Sequence, residues 1–171
     1  AVKIDGVSKE AYAWGFRVGF ITFADNFQSP DAYGVMEEKA VAGIRCSVSS
    51  CSSIAQAVLN HAIKDENYTK EIEQKYSILE SRVAKVKEIV YRDEYKPYWD
   101  VYPFNSGYFM CLRIKDIPGE TVRKHALFRY GLGTIAFDQD LRIAFSCISE
   151  ENLEKVFQII AKSIDDIKNG D

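Results

Sequence analysis

Proline is scarce, at 4 residues among 171, and glycine contributes only 10. Collagen-like repeats and the Pro/Gly/Ser-rich linkers of disordered chains are thereby excluded. Cationic excess is missing as well: 22 Lys+Arg stand against 25 Asp+Glu, a net charge of −3, so no basic field draws the chain to nucleic acid. There is no long hydrophobic run. The longest uncharged stretch, residues 46–63, contains Ser47, Ser49, Ser50, Ser52 and Ser53 together with Gln56, Asn60 and His61, which excludes a membrane span there. The four cysteines, Cys46, Cys51, Cys111 and Cys147, have neither CxxC spacing nor the density of a disulfide scaffold. They read as reduced thiols of a cytoplasmic protein, with Cys46 and Cys51 as small buried residues. His61 and His125 have no metal-spaced companions, so each reads as a helix-surface or capping histidine and no metal is expected.

What is present is apolar surface: 47% hydrophobic and 13% aromatic residues, enough for a core in one domain, or one and a piece. No basic segment followed by an apolar run opens the chain. The first residue is Ala1, and AVKID already reads as structured, which implies a start in the middle of a larger protein.

Val2 and Ile4 alternate with Lys3 and Asp5 before a turn at Gly6, and RVGFITFA at 17–24 predicts a second strand. Ser29 and Pro30 offer a cap and a first-turn proline for a helix over 30–46, with Val35, Met36, Ala40 and Ile44 as its apolar stripe. The serine cluster forms the joint to a second helix with Ile54, Ala57, Val58 and Ile63 inward. From Tyr68, apolar residues at Ile72, Tyr76, Leu79, Val83, Val86 and Val90 follow steps of three and four, predicting a long amphipathic helix that cannot pass Pro97. The ring-rich YKPYWDVYPFNSG then reads as an ordered loop. A strand at 107–114 follows, then a helix with Val122, Ala126, Leu127 and Tyr130 on one stripe and Gly131 or Gly133 at its end. TIAF and LRIAFS form a hairpin across Asp138, Gln139 and Asp140. In the last helix Ser149 is the cap, and Leu153, Val156, Phe157, Ile160, Ile164 and Ile167 are the buried stripe. These elements make an α/β chain with a boundary near residue 64: a strand-and-helix piece over 1–64 and a compact α+β unit over 65–171.

Within GVSKEAYAWGFRVGF, a lysine among small residues is followed eight positions later by an arginine at an apolar strand start. Two cations so close in sequence ask for an anion; the plain alternative is a surface lysine and a salt-bridged arginine. Gly6-Val7-Ser8-Lys9 and Gly15-Phe16-Arg17-Val18-Gly19 resemble the lysine motif of fold-type I pyridoxal-phosphate aminotransferases of class I/II, in which small residues precede the lysine and Gly-x-Arg-apolar-Gly follows it. Tyr12 departs from that pattern, where a small or aliphatic residue is usual. The resemblance implies that Lys9 forms the Schiff base with the cofactor aldehyde and acts as catalytic base, that Arg17 binds the cofactor phosphate, and that Ser8 lies in the cofactor site. The chemistry suits both cations. An amine whose pKa is lowered by nearby positive charge can serve as nucleophile and base, and a guanidinium fork matches a phosphate bidentately.

In DLRIAFSCISEENLEKV, alternation sends Leu141, Ile143 and Phe145 to one side and Arg142, Ala144 and Ser146 to the other, so Arg142 stands beside small side chains. The segment resembles the family's C-terminal stretch whose arginine clamps the substrate α-carboxylate, which gives Arg142 that role; an exposed strand arginine is the alternative. Arg45, in IRCSVSSCSS, resembles an Arg-then-Ser segment that in some relatives reaches the neighbouring subunit's site and binds substrate or phosphate. Here Cys51-Ser52 replaces the usual Pro-Pro, and a salt bridge at the helix end accounts for Arg45 equally well. Tyr95, Tyr98, Trp99, Tyr102, Phe104, Tyr108 and Phe109 either line a pocket for an apolar amino acid or pack the core.

The resemblance spans the chain but only the C-terminal portion of the family's fold, a mixed sheet flanked by helices with one long interdomain helix: residues 1–64 as the end of the large cofactor-binding domain, 65–171 as the small domain. It implies a cytoplasmic homodimer using pyridoxal 5'-phosphate to move an amino group between an α-amino acid and a 2-oxo acid. An acidic partner for the pyridine nitrogen and a phosphate-cradling turn, which the family carries upstream of its lysine, have no counterpart in these residues. The 171 residues by themselves are therefore expected to be inactive. Two alternatives stay open: a C–S lyase of the same fold and cofactor, or a non-catalytic sensor domain of a transcription regulator.

Overall fold

The computed structural model describes residues 1–24 and 31–170. The helix start expected at Ser29 and Pro30 lies outside the described residues. The chain forms two compact units, Ala1–Glu73 and Gln74–Asp171.

In the first unit, β1 (Val2–Gly6) and β2 (Gly19–Phe23) pair antiparallel from Val2↔Phe23 to Gly6↔Gly19. A Cβ at residue 19 would lie 3.1 Å from the Asp5 carbonyl oxygen, so glycine lets the strands close there. Between them lies the single-turn helix α1 (Val7–Glu10). Two longer helices follow, α2 (Ala32–Ser47) and α3 (Ser53–Ile63). Ser52 caps α3, its hydroxyl accepting the Ala55 N–H at 3.3 Å, so the serine joint ends in a side-chain cap. The inward face of α3 differs from expectation. Ala55 and Leu59, one turn apart, are buried against Val7 and Val18, whereas Ile54, Val58 and Ile63 are exposed. The helix is apolar on several sides, so its periodicity admits more than one stripe and the neighbouring strands decide. No residue of α2 is buried, its expected stripe of Val35, Met36, Ala40 and Ile44 included.

Helix α4 (Tyr68–Val90) crosses from one unit to the other. Its stripe is buried only in the C-terminal half, at Val83, Val86 and Val90 with Ile89 beside them, while Tyr76 is exposed. The second unit holds β3 (Trp99–Val101), β4 (Met110–Ile114), α5 (Gly119–Tyr130), β5 (Ile135–Phe137), β6 (Asp140–Ile143) and α6 (Glu150–Asn169). Its sheet is antiparallel in the order β3-β4-β6-β5. Part of the expected aromatic loop is thus an edge strand, with Trp99 opposite Ile114. Trp99 is buried, stacks on Tyr95 with ring centroids 4.7 Å apart and donates its Nε1–H to the Val90 carbonyl. Three residues of alternation followed by Pro103 are too short a signal to read as a strand. The β5–β6 turn places Asp138 at φ 52°, the left-handed geometry that two-residue hairpin turns need. Leu141 and Ile143 point into the core as alternation predicts, and Phe145 follows them from a 3₁₀ turn that ends the strand early.

In α5, Val122 and Ala126 are buried, whereas Leu127 is more than a third exposed and leaves the expected stripe. Gly131 at φ 71° ends the helix: its N–H reaches the Leu127 carbonyl and the Leu132 N–H the Ala126 carbonyl, each at 3.0 Å, satisfying carbonyls that the last turn leaves open. The helix starts hard against the β5–β6 turn. Gly119 donates its N–H to the Asp138 carbonyl at 2.9 Å, and a Cβ there would meet the Asp138 and Asp140 carbonyl oxygens at 3.0 Å. Neither is a flexible side-chain end that could move aside. Gly119→Ala is accordingly expected to destabilise the second unit by about 1–3 kcal/mol, read from the denaturant midpoint of the purified chain; an unchanged midpoint would refute this close approach.

Helix α6 closes the core. Leu153, Val156, Phe157, Ile160 and Ile164 are buried and Ile167 packs at the margin. Ser149 occupies the N-cap position, but its hydroxyl accepts from the Asn152 side chain at 2.8 Å and caps no backbone N–H. Among the described residues no helix is long and apolar enough to cross a membrane.

Candidate functional site

The first unit supplies a connection, residues 7–18, that closes the end of the β1–β2 ladder. The Val7 N–H bonds the Val18 carbonyl at 3.2 Å, and Ala11 and Ala13 both donate to the Val7 carbonyl. Val7 and Val18 are buried under Ala55 and Leu59, which anchors both ends of the connection. Ser8 is half-buried and Lys9 exposed, both on α1 directly after the anchor at Val7; Arg17 directly precedes the anchor at Val18. A hydroxyl, a primary amine and a guanidinium are therefore carried on one short connection with fixed ends.

Two backbone outliers lie in it, Tyr12 at φ 53° and Arg17 at φ 54°. A non-glycine residue in the left-handed region costs about 1–2 kcal/mol, and such strain gathers at ligand clamps, where the surroundings impose it. Arg17 follows the 3₁₀ turn Trp14–Phe16 and its Nη1 donates to the Trp14 carbonyl at 3.2 Å. The bent backbone and this bond together fix where the guanidinium starts from. No sequence signal announced either outlier, because neither tyrosine nor arginine favours the conformation.

The second unit supplies Arg142. It lies on β6 between Cys111 of β4 and Ile135 of β5 in register, half-buried on the outward face of the sheet. Its guanidinium lies over the Phe109 ring, 4.4 Å from the centroid. Other arginines of this unit are differently occupied. Arg92 pairs with Glu88 at 2.9 Å and Glu154 at 2.7 Å. Arg123 grips Glu120 at 2.6 Å and holds its carboxyl down at about 2. Arg113 donates to the Tyr102 hydroxyl, which in turn donates to Asp140. Among the described residues no carboxylate lies within ion-pair distance of Arg142. The Cys111 thiol beside it is pushed up by burial and by Asp140, with Arg142 pulling the other way.

Arg45, near the end of α2, turns to Ser49 and donates to its hydroxyl at 2.7 Å, so its partner is a hydroxyl and not the carboxylate of a helix-end ion pair. Cys46 and Cys51 are exposed, against the buried positions expected of them, because α2 buries no residue and the joint after it lies at the surface. His61 lies exposed on α3, as a surface histidine should. His125 is half-buried instead, its Nε2 3.9 Å from the Asp166 carboxylate that also accepts the Tyr130 hydroxyl, since α5 packs on α6 at that point. Among the described residues no group of three or more side chains could hold a metal ion. Of the expected rings, Tyr95 and Trp99 belong to the core, and Phe104 packs against it beside Phe145. Phe109 reaches a candidate site residue, Arg142. Extending the period-two alternation of β4 back by one residue puts it on the face of Cys111, the register partner of Arg142, and that signal was available in the sequence.

Residues 2–160 match the family described as aminotransferase class I and II. No curated protein sequence matches the chain. Solved structures do. An aromatic aminotransferase from Pyrococcus horikoshii superposes with a TM-score of 0.73 at 16% identity, over 98% of this chain and 43% of that one. An α-aminoadipate aminotransferase from Thermus thermophilus gives 0.75 at 14% identity, over 98% and 42%. An aminotransferase from Anaerococcus prevotii gives 0.72 at 22%, over 94% and 38%. The chain thus spans about two-fifths of the length of the structures it matches, and at these identities the likeness shows the fold alone. The family match over nearly all of its length goes further: the chain belongs to the aminotransferase class I and II family.

Proposed function

We propose that these residues are the C-terminal portion of a pyridoxal 5'-phosphate-dependent aminotransferase that moves an amino group between an α-amino acid and a 2-oxo acid. The observation that supports this most is the connection 7–18, which carries Ser8, Lys9 and Arg17 between two buried anchors and holds Arg17 in a strained conformation. That donor set fits the cofactor: an amine for an aldehyde, and a hydroxyl and a guanidinium for a phosphate monoester. In this reading Arg17 and Ser8 hold the phosphate end, and Lys9 Nζ is the nucleophile toward the aldehyde. When bound, the cofactor supplies an electron sink for the pair released at the substrate Cα. Lys9 Nζ takes the proton from that carbon and returns it on the next step. Arg142 clamps the α-carboxylate bidentately and so aims the Cα–H bond, and positional control of that kind lowers the barrier. Arg45 contributes across a homodimer. The further assignments are residues 1–64 to the large domain, 65–171 to the small domain, and a cytoplasmic setting. The 171 residues assayed by themselves are inactive in this reading, since they provide neither an acid for the ring nitrogen nor a phosphate-cradling turn.

The test is a transaminase assay of the full-length protein against a panel of amino acids, with product analysis to separate amino-group transfer from C–S bond cleavage. Arg142→Lys keeps the charge but loses the fork, so the KM for the amino acid is expected to rise by about tenfold or more. An unchanged KM would remove Arg142 from the carboxylate role.

A further inference from the structure

Arg142 is a candidate site residue held by an aromatic face. Its guanidinium carbon lies 4.4 Å from the centroid of the Phe109 ring, inside the range in which a ring quadrupole attracts a cation. A carboxylate partner would also have steadied this side chain, but at the cost of neutralising it and competing with any anion that arrives. The ring steadies it and leaves its charge and its hydrogen-bonding edge untouched. Backbone supports both members. Cys111 of β4 and Ile135 of β5 flank Arg142 in register, and Phe109 stands two residues before Cys111 on the same face, a diagonal neighbour of Arg142. The inward-facing residues beside them, Met110, Leu141 and Ile143, are buried, so β6 cannot turn to carry Arg142 elsewhere, and the chain is pinned at Met110 directly after Phe109.

We infer that Phe109 is a positioning residue for carboxylate recognition: its ring holds the Arg142 guanidinium flat in one orientation, preorganised to receive a carboxylate edge-on. The inference rests on the carboxylate role proposed for Arg142, which the closing experiment tests separately.

Two readouts are combined. In the 171-residue chain, the Arg142 Nε–H resonance is expected to lie upfield through the ring current of Phe109 and to move to an ordinary position in Phe109→Leu, with the remaining β4 and β6 amide resonances unchanged. Phe109 is partly exposed, so leucine is tolerated there, and Phe109→Tyr, which keeps a ring, serves as the rescue. In the full-length enzyme, Phe109→Leu is expected to raise the KM for the amino acid about fivefold with kcat within about twofold, and Phe109→Tyr to restore it. An Arg142 resonance indifferent to Phe109→Leu overturns the inference. So does an unchanged KM in Phe109→Leu where Arg142→Lys raises it, and in that event the role of Arg142 stands. If Arg142→Lys itself leaves KM unchanged, the carboxylate role fails and the inference falls with it.

Discussion

Lys9→Ala in the full-length protein is expected to abolish transaminase turnover, a loss of about a thousandfold or more, since nucleophile and proton carrier are removed together. The spectroscopic counterpart is equally sharp. Pyridoxal phosphate added to the wild-type full-length protein should give a near-visible absorption band, fixed covalently on Lys9 by borohydride, and the variant should give neither. Lys9→Arg separates charge from nucleophilicity: it keeps a cation on α1 but presents no amine, and should be as inactive as the alanine variant. Turnover retained by either variant would take position 9 out of the mechanism. The 171-residue chain supplies a further comparison. Lys9 and Arg17 are present in it with their connection anchored at Val7 and Val18, but two cations and a hydroxyl satisfy only part of a cofactor. Stoichiometric, tight capture of pyridoxal phosphate by the chain alone would contradict the inactivity proposed for it.

The second large effect is on stability. Phe157→Ala should destabilise the second unit by about 3–5 kcal/mol. Phe157 is fully buried in α6, its ring 6.3 Å from that of Trp99 and embedded with Leu153, Ile160 and Ile164 in one cluster. Removing the ring leaves a cavity walled by a sheet on one side and helices on the other, which cannot collapse to fill it. Domains of this size are held by about 5–15 kcal/mol, so the loss should be plain in a urea titration followed by tryptophan fluorescence, with Trp99 as the reporter in the core. A loss below about 1 kcal/mol would mean that α6 is not seated on the sheet as described.

How much of this could be read beforehand differs between the two units. Along α6 the apolar residues fall on one stripe with charged residues elsewhere, and periodicity names Leu153, Val156, Phe157, Ile160 and Ile164 of the buried set; Ile167 is only partly covered, and Ala161 and Ser163 are buried beside the stripe. The alternation of Leu141 and Ile143 against Arg142 was equally legible, because a two-residue period sends neighbours to opposite faces whatever covers them. Helix α3 was not legible in this way: it offers Ile54, Val58 and Ile63 as readily as Ala55 and Leu59, and burial went to Ala55 and Leu59 because Val7 and Val18 meet the helix there. Trp99 entered a strand too short to announce itself, recruited by the edge of β4.

The sequence by itself determined the residue types and spacing on which the proposed chemistry rests, namely Lys9 and Arg17 eight apart among glycines and Arg142 on an alternating strand, together with helix stripes long enough to outvote local noise. Tertiary structure decided how those groups are held. The left-handed backbone at Arg17 and the ring under Arg142 depend on chain ends fixed by burial and on strands brought into register, and such contacts between residues distant in the chain follow from packing and not from local preference.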